Sequence, residues 1–300
     1  MDILLLPNRD KPDAIQAAER LFALLVDTLK THPGDGPGGR VTVMATADRE
    51  RIARFRPHLV VVLGGDGSIL TTAHALNGLK VPVVGINFGK LGYLAEYSLD
   101  EFIASLDLIL AGSIPSTQRL MLQAAVYPWR NGGVIQSLAA LEALPPHATG
   151  LALNDVVINA GEPFRMIELE VQVNEERTTT FRSDGLVVAT ASGSTGYNLS
   201  AGGPLISPGL EAMVLTPICP HSLSFRPVVL PAASAILVCP RRLNPGSRVS
   251  FDGQVNIPLT DDECVLIRRA ERTLTLLENP RLSHWQMLAE KLHWAQSPRH

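Results

Sequence analysis

The sequence predicts an α/β region built on an open parallel sheet, then a β-rich, sandwich-like region, and last a C-terminal helix that packs back on the first region. In residues 1–120, short apolar runs alternate with helix-like stretches, a pattern typical of a parallel sheet. In residues 121–278, strand-like runs follow one another between turns. Residues 279–300 return to a helical spacing of apolar side chains, so we expect three segments with boundaries near residues 120 and 278.

The length and composition suit two ordinary hydrophobic cores. The chain has 300 residues, of which 46% are hydrophobic and 18% are charged, so disulfides or metal ions are not needed to stabilise it. Its 26 basic and 29 acidic residues argue against nucleic acid as a partner. No apolar run approaches the roughly 18 residues of a membrane span, so we expect a cytoplasmic protein without membrane contact. Cys219, Cys239 and Cys264 form no C-x-x-C pair and are expected to be inert buried thiols.

The elements of the first region follow from glycine, proline and apolar spacing. Valine-rich and leucine-rich runs predict strands buried on both faces at residues 2–6, 41–44, 59–63 and 81–86. Helical spacing predicts helices at residues 12–30, 68–77 and 99–111. Glycine and proline dominate residues 32–39, where we expect a loop.

The second region shows almost no helical spacing. Strands are predicted at residues 122–126, 155–159, 166–173, 186–189, 235–238 and 249–252, and helices only at residues 137–144 and near residues 209–213. Asn279-Pro280 predicts the start of the last helix, whose apolar side chains share one face.

The first candidate site is the turn Gly64-Gly65-Asp66-Gly67-Ser68, which joins a predicted strand to a predicted helix. In open α/β sheets ligands bind at the carboxyl ends of the strands, and glycines let the backbone approach an anionic ligand closely. The turn therefore predicts a phosphate site, although it matches neither common phosphate-loop pattern. Asp66 there would accept a proton from a hydroxyl or help to place Mg²⁺, or it would only cap the helix.

The second candidate site is the run of small and hydroxylated residues from 183 to 204, which contains a single aromatic residue, Tyr197. A binding segment is the favoured interpretation, and a flexible linker is the alternative. Asn154-Asp155 begins a predicted strand and would read ribose or base groups, although an Asx turn explains this dipeptide equally simply.

Four separated elements together resemble the NAD kinases, and the bacterial ATP-dependent ones in particular. They are Gly64-Gly65-Asp66-Gly67, Asn154-Asp155, Ser183-Asp184-Gly185-Leu186 and the run from Ser192 to Pro204. Residues 85–94 and 215–223 are similar to the family as well, so the resemblance covers about residues 59–290. The glycine turn alone is weakly specific, because phosphofructokinases and lipid kinases have similar turns.

The resemblance implies that ATP donates its γ-phosphoryl group to the 2′-hydroxyl of the adenosine ribose of NAD, giving NADP. Asp66 would be the general base, Mg²⁺ would be bound mainly through ATP, and the protein would form a homodimer or homotetramer. The ATP phosphates would lie at Gly64, Gly65, Gly67 and Ser68. NAD would contact Asp66, Gly67, Tyr93, Asn154, Asp155, Arg165, Arg182, Asp184, Thr195, Gly196, Tyr197, Asn198, Leu199, Ser200 and Gln254.

The chain departs from the family pattern in three places. Ser68 stands where threonine is common, Gly196 replaces an alanine, and residues 129–150 form a longer stretch rich in glycine and proline. Two other functions compete with this one, a related kinase acting on a lipid or sugar hydroxyl and a non-catalytic dinucleotide-binding regulator. Asp66 distinguishes the regulator from the kinases, because a pure binding module needs no carboxylate beside phosphates.

Overall fold

A computed structural model describes residues 1–31, 39–89, 92–129 and 137–292. The chain forms two compact units: unit 1 consists of Met1–Arg119 and Leu274–His300, and unit 2 of Leu120–Thr273. Most of the predicted loop at residues 32–39, part of the long stretch at residues 129–150, and Lys90 and Leu91 of the family-like run lie outside the described residues.

Unit 1 begins with alternating strands and helices. They are β1 (Ile3–Pro7), α1 (Pro12–Thr31), β2 (Val41–Val43), α2 (Arg49–Phe55), β3 (Leu59–Gly64), α3 (Asp66–Leu76), β4 (Val83–Asn87), α4 (Leu99–Ala104) and α5 (Leu106–Leu110). The four strands pair in parallel in the order β2-β1-β3-β4, which confirms the predicted open parallel sheet. Because Pro7 pairs with Leu63, the carboxyl ends of β1 and β3 lie side by side.

The predicted helix at residues 99–111 is two short helices instead of one. Ser105 lies between them with φ −106° and ψ 4°, which is outside the helical range. Ser98 and Glu101 form a capping box at the start of α4. The spacing of apolar residues indicates which side of each helix is buried, but it carries no information about a break between two helices.

Unit 2 contains most of the strands in the described residues, and its first and last strands extend a few residues into unit 1. Its elements begin with β5 (Ser116–Pro128), α6 (Leu138–Glu142), β6 (Ala148–Ala152), β7 (Asp155–Asn159), β8 (Ile167–Val173), β9 (Glu176–Ser183), β10 (Gly185–Thr190) and α7 (Tyr197–Ser200). They continue with β11 (Ala212–Ile218), β12 (Val228–Pro231), β13 (Ile236–Arg242), β14 (Arg248–Phe251), β15 (Val255–Pro258) and β16 (Glu263–Leu277). A 3₁₀ turn, Ser192–Thr195, precedes α7.

Two layers of strands share the core of unit 2. One has the order β12-β11-β10-β7-β14-β15, and the other contains β16-β13-β8-β9, with β5 joining β16 to β6. Val156 and Leu186 of the first layer are buried in one cluster with Ile236 and Val265 of the second. This arrangement confirms the predicted sandwich-like region.

The chain returns to unit 1 at its C-terminal end. Leu276, near the end of β16, pairs in parallel with Val83 of β4, and α8 (His284–Leu292) follows. The sequence predicted that this helix starts at Asn279-Pro280, but it begins at His284. Asn279 instead builds a turn by accepting the N–H groups of Arg281 and Leu282, and Ser283 accepts the N–H of Gln286 as a helix cap. The C-terminal helix thus belongs to unit 1, as the fold class predicted.

The prediction of a helix near residues 209–213 is wrong. Residues from Ala212 onward form β11, which pairs with β10 from Met213 to Ile218, so tertiary pairing decides their conformation. No helix in the described part of the chain is long and apolar enough to cross a membrane.

Candidate functional site

The glycine turn of unit 1 lies at the carboxyl end of β3, and α3 begins inside it at Asp66. The cap position of α3 is occupied by Gly65, and no side chain caps the helix there. The alternative that Asp66 is a helix cap is therefore wrong. Its carboxylate turns instead towards the segment that follows β4.

Three backbone N–H groups fix the Asp66 carboxylate. Oδ2 accepts from Tyr93 at 2.8 Å, and Oδ1 accepts from Leu94 and Ala95 at 3.0 Å each. A Cβ atom on Gly92 would lie 2.0 Å from Oδ1, so only glycine permits this approach. Because Oδ1 takes two donors and Oδ2 only one from the backbone, Oδ2 keeps the greater remaining capacity to accept a hydrogen bond.

Asp66 also faces a cation of α8. The Lys291 ammonium lies 3.6 Å from Asp66 Oδ2 and 4.4 Å from the centre of the Tyr93 ring. The Asp66 side chain remains 29% exposed, so it is open to a ligand. The Tyr93 hydroxyl is buried and has no hydrogen-bond partner in the described chain, and burial raises the pKa of this phenol.

A cavity of about 520 Å³ opens beside the glycine turn in unit 1. The residues that follow β1 form one wall, among them Arg9 and Lys11, and Gly65, Gly67 and Ser68 form the other. Asn8 donates to the Ser68 hydroxyl at 3.1 Å and thereby links the two walls. Sequence reasoning missed this wall, although its signal was present: residues 8–11 directly follow a buried parallel strand.

A second cavity, of about 290 Å³, lies within unit 2. Its lining includes Asn154, Asp155, Tyr197, Asp252 and Gly253. Asn154 Oδ1 is buried and has no hydrogen-bond partner in the described chain. Burial, together with the nearby Asp252 carboxylate, raises the pKa of Asp155 to about 7. The cavity therefore offers an unsatisfied amide oxygen and a carboxyl group that titrates near neutrality.

Asp252 is a residue of this site that sequence reasoning missed. Its carboxylate accepts the N–H groups of Leu153, Asn154 and Asp155 at 2.7 to 3.0 Å. The Asp252-Gly253 dipeptide between two strand-like runs is a hairpin signal, and Asp252 has a φ of 51°. The signal predicts a turn, but it says nothing of what the turn holds.

The run after β10 is folded and is not a flexible linker. Gly193 lies so close to Asn154 that a Cβ atom would come within 2.1 Å of its carbonyl oxygen. Ser194 and Asn198 are fully buried within it. Asn198 donates to the carbonyl oxygens of Ser194 and Pro204 and accepts from the Thr216 hydroxyl, so its side chain holds the segment together.

Tyr197 projects from this folded segment and is 43% exposed. Burial of the rest of its ring raises the pKa of Tyr197, and the nearby charges of Asp155 and Asp184 contribute to the shift. Thr195, Gly196 and Leu199 are half-buried around it, and Ser200 is exposed. The structure thus places two of the predicted positions of this segment, Gly196 and Tyr197, beside Asn154 and Asp155.

Three further predicted positions lie on the surface of unit 2. Gln254 is in the same hairpin turn as Asp252. Arg165 is exposed, and Arg182 pairs with Glu168 on the neighbouring strand at 3.0 Å. Neither arginine lines the cavity of unit 2, so their contact with a dinucleotide stays a prediction.

An open parallel sheet with a carboxylate fixed at a glycine-rich turn, combined with a β-sandwich that carries a polar cavity, defines a kinase-type transferase of two units. The family model for the ATP-NAD kinase N-terminal domain matches residues 3–114, and the model for the C-terminal domain matches residues 153–279. The chain belongs to the NAD kinase family.

Individual relatives agree with these matches. The chain is 42% identical to the NAD kinase of Syntrophotalea carbinolica over 79% of each chain. It is 38% identical to that of Trichlorobacter lovleyi over 93% of this chain and 90% of that protein.

Two solved structures share the fold. A yeast NADH kinase complexed with NADH has a TM-score of 0.81 at 22% identity, covering 100% of this chain and 89% of that one. An NAD kinase from Archaeoglobus fulgidus in complex with ATP has a TM-score of 0.69 at 24% identity, covering 94% and 95%.

Proposed function

We propose that the protein transfers the γ-phosphoryl group of ATP to the 2′-hydroxyl of the adenosine ribose of NAD, giving NADP and ADP. The observation that supports this most directly is the Asp66 carboxylate, fixed by three backbone N–H groups at the carboxyl end of β3. The names of the relatives agree with it, and so do the NADH and ATP in the two similar structures.

The donor phosphates would occupy the cavity of unit 1. The positive end of the α3 dipole at Gly65 and Gly67 favours anionic oxygens. Arg9 supplies a guanidinium whose planar fork matches phosphate oxygens. The glycines leave room for the phosphates, and Ser68 adds a hydroxyl.

The acceptor would be held by unit 2. Asn154 Oδ1 needs a donor, which an amino or hydroxyl group of adenosine would provide. Asp155 would accept from a ribose hydroxyl, and the exposed ring of Tyr197 would stack on a planar group of NAD. These roles rest on the chemistry of the groups that line one cavity.

In the transfer step Asp66 Oδ2 would accept the proton of the 2′-hydroxyl while that oxygen bonds to the γ-phosphorus. The bond from this phosphorus to the bridging oxygen breaks, and ADP leaves with the bond's electron pair. Three backbone donors preset the orientation of the carboxylate, so little reorganisation is needed during the reaction.

Mg²⁺ fits this arrangement as an ion carried by the donor. Mg²⁺ commonly keeps several waters and binds through one or two carboxylates together with substrate phosphates, so a cluster of protein ligands is not required. Bound in this way it would neutralise charge on the β- and γ-phosphoryl oxygens.

A homo-oligomer would form through the edge strand β12 of unit 2. Within the described chain β12 pairs only with β11, and Val228 and Val229 are 47% and 51% exposed. An apolar edge with unpaired backbone groups suits antiparallel pairing with the same strand of a second copy across a two-fold axis.

The test is Asp66→Asn, which keeps the size of the side chain but removes its charge and its ability to take the proton. We expect kcat for NADP formation to fall about a hundredfold or more, since general-base assistance contributes about 10² to 10⁴ in rate. Calorimetric NAD affinity should change modestly, because the proposed NAD contacts lie mainly in unit 2.

Asp48→Asn is the matched control, because Asp48 also accepts a backbone N–H, at 2.8 Å, but only caps α2. Chromatography against an NADP standard identifies the 2′-phosphorylated product. If Asp66→Asn turned over within about threefold of the wild type, Asp66 would not be the base.

A further inference from the structure

The C-terminal helix α8 brings a charged group to the glycine turn of unit 1. Lys291 is the eighth residue of this nine-residue helix, and its ammonium lies 3.6 Å from Asp66 Oδ2. Only 22% of the Lys291 side chain is exposed. The contact joins residues 225 positions apart in the chain, so local sequence cannot produce it.

The fold holds this lysine in place. Met287 and Leu288 lie one turn before Lys291 and are each 4% exposed, so this face of α8 is buried. The segment leading to α8 is fastened by Asn279, whose backbone and side-chain N–H groups both bond to Glu96. The side chain of Lys291 then extends along the ring of Tyr93, with the ammonium 4.4 Å from the ring centre.

The Lys291 ammonium changes the charge that an approaching phosphate group meets at Asp66. An approaching polyphosphate would be repelled by the Asp66 carboxylate, and the ammonium beside Oδ2 offsets this repulsion. Lys11, the lysine of the neighbouring cavity, donates to the Phe88 carbonyl oxygen at 3.0 Å and is already engaged. Lysine has three donors on a flexible stem, so one ammonium can serve both the carboxylate and a phosphate oxygen.

We propose that Lys291 is a further catalytic residue, whose ammonium moves from Asp66 to the oxygens of the transferring phosphoryl group when ATP binds. The inference rests on the proposed function, because it takes the Asp66 carboxylate as the place where the phosphoryl group meets its acceptor. Lys291 gains or loses no proton in the step. It stabilises the charge on the equatorial oxygens while the proton of the hydroxyl goes to Asp66.

The experiment compares Lys291→Met with Lys291→Arg and with a control, Lys80→Met, at an exposed lysine that follows the C-terminal end of α3, whereas the glycine turn is at the N-terminal end of that helix. Methionine keeps an apolar stem over the Tyr93 ring, and arginine keeps the positive charge. We expect Lys291→Met to lower kcat at least about tenfold, with the KM for NAD within about twofold. Lys291→Arg should recover much of the loss, and Lys80→Met should match the wild type.

The decisive readout is binding of ATP and of ADP, each with Mg²⁺, by calorimetry. ADP lacks the γ-phosphoryl group, so Lys291→Met should weaken ATP several-fold while leaving ADP unchanged. An equal loss for both nucleotides, or kcat within about twofold of the wild type, would overturn the proposal. If the melting temperature of Lys291→Met is well below that of the wild type, the same measurements are made on Lys291→Gln. The ATP and ADP affinities are measured without turnover, so they test the role of Lys291 independently of the reaction. The proposed function is tested by NADP formation, and it would be refuted if the wild type made no NADP.

Discussion

Glu96 is a buried carboxyl group that connects the loop at Asp66 to the C-terminal segment. It lies directly after Ala95, whose N–H binds Asp66, and its own oxygen accepts the N–H of Asn279 at 2.9 Å. Burial raises the pKa of Glu96 to about 7, and the Asn279 hydrogen bond and Arg119 oppose this shift. Because Arg119 is 3.7 Å away, its attraction does not offset the loss of hydration.

Glu96→Gln should therefore change how stability depends on pH. The folded-state pKa of Glu96 lies above its ordinary value of 4.5, so its contribution to stability is complete below pH 4.5 and is lost as pH rises through about 7. Glutamine does not titrate, so the variant should gain stability relative to the wild type between pH 5 and pH 8, by about 2 kcal/mol.

Urea unfolding at several pH values measures this difference. Glu19→Gln, at an exposed position of α1, serves as the control and should follow the wild type at every pH. Parallel stability curves for Glu96→Gln and the wild type would show that Glu96 has the same affinity for protons in the folded and unfolded chain.

At the level of single residues, the sequence showed the glycine turn but not the partners of its carboxylate. The glycine turn was recognisable because its glycines and its carboxylate are adjacent in the chain. The partners of Asp66 were not, because Tyr93 and Lys291 reach it only through the fold. Asn198 lies in the polar run and was predicted to contact NAD, yet its side-chain amide forms hydrogen bonds within the protein.

At the level of elements, the hairpin β14–β15 supports the start of β7. Its turn residue Asp252 fixes three consecutive N–H groups, from Leu153 to Asp155. The position of Asn154 and Asp155 in the cavity of unit 2 thus depends on a turn about 100 residues further along the chain.

Asp252→Asn should weaken NAD binding about tenfold, because an amide has one acceptor oxygen where the carboxylate has two. Calorimetric titration with NAD checks this. Asp261→Asn is the control, since Asp261 likewise accepts a backbone N–H, from Leu243 at 2.7 Å, but does not line the cavity. NAD affinity equal to that of the wild type would mean that the turn at residues 153–155 holds its shape without Asp252.

Elements differed in how well the sequence predicted them. Short valine-rich strands such as β3 and β7 were found because burial on both faces leaves an uninterrupted apolar run. The longest strand, β16, was missed because Arg268, Arg269 and Glu271 interrupt its apolar alternation. Arg268 pairs with Glu142 and Arg269 with Glu211, partners that no local pattern indicates.

For the whole molecule, the proposed pairing of β12 between two copies can be tested by the mass of the protein in solution. Val229→Lys places a charge on this edge and should reduce the mass in solution to that of a smaller assembly or a monomer. Val43→Lys is the control and should leave the mass unchanged, because Val43 is likewise exposed, at 42%, and lies on β2, the edge strand of unit 1. Light scattering at several protein concentrations measures both. An unchanged mass for Val229→Lys would assign the assembly to another surface.

Unit 1 is assembled from two stretches of chain separated by all of unit 2, and this has a consequence for biosynthesis. The ribosome completes residues 120–273 before it makes the strand end and the helix that finish unit 1. Unit 2 can therefore fold while unit 1 still lacks the segment that carries Lys291. A nascent or prematurely terminated chain would then hold a formed sandwich while unit 1 is still incomplete, so unit 1 can finish folding only after its C-terminal segment has been made.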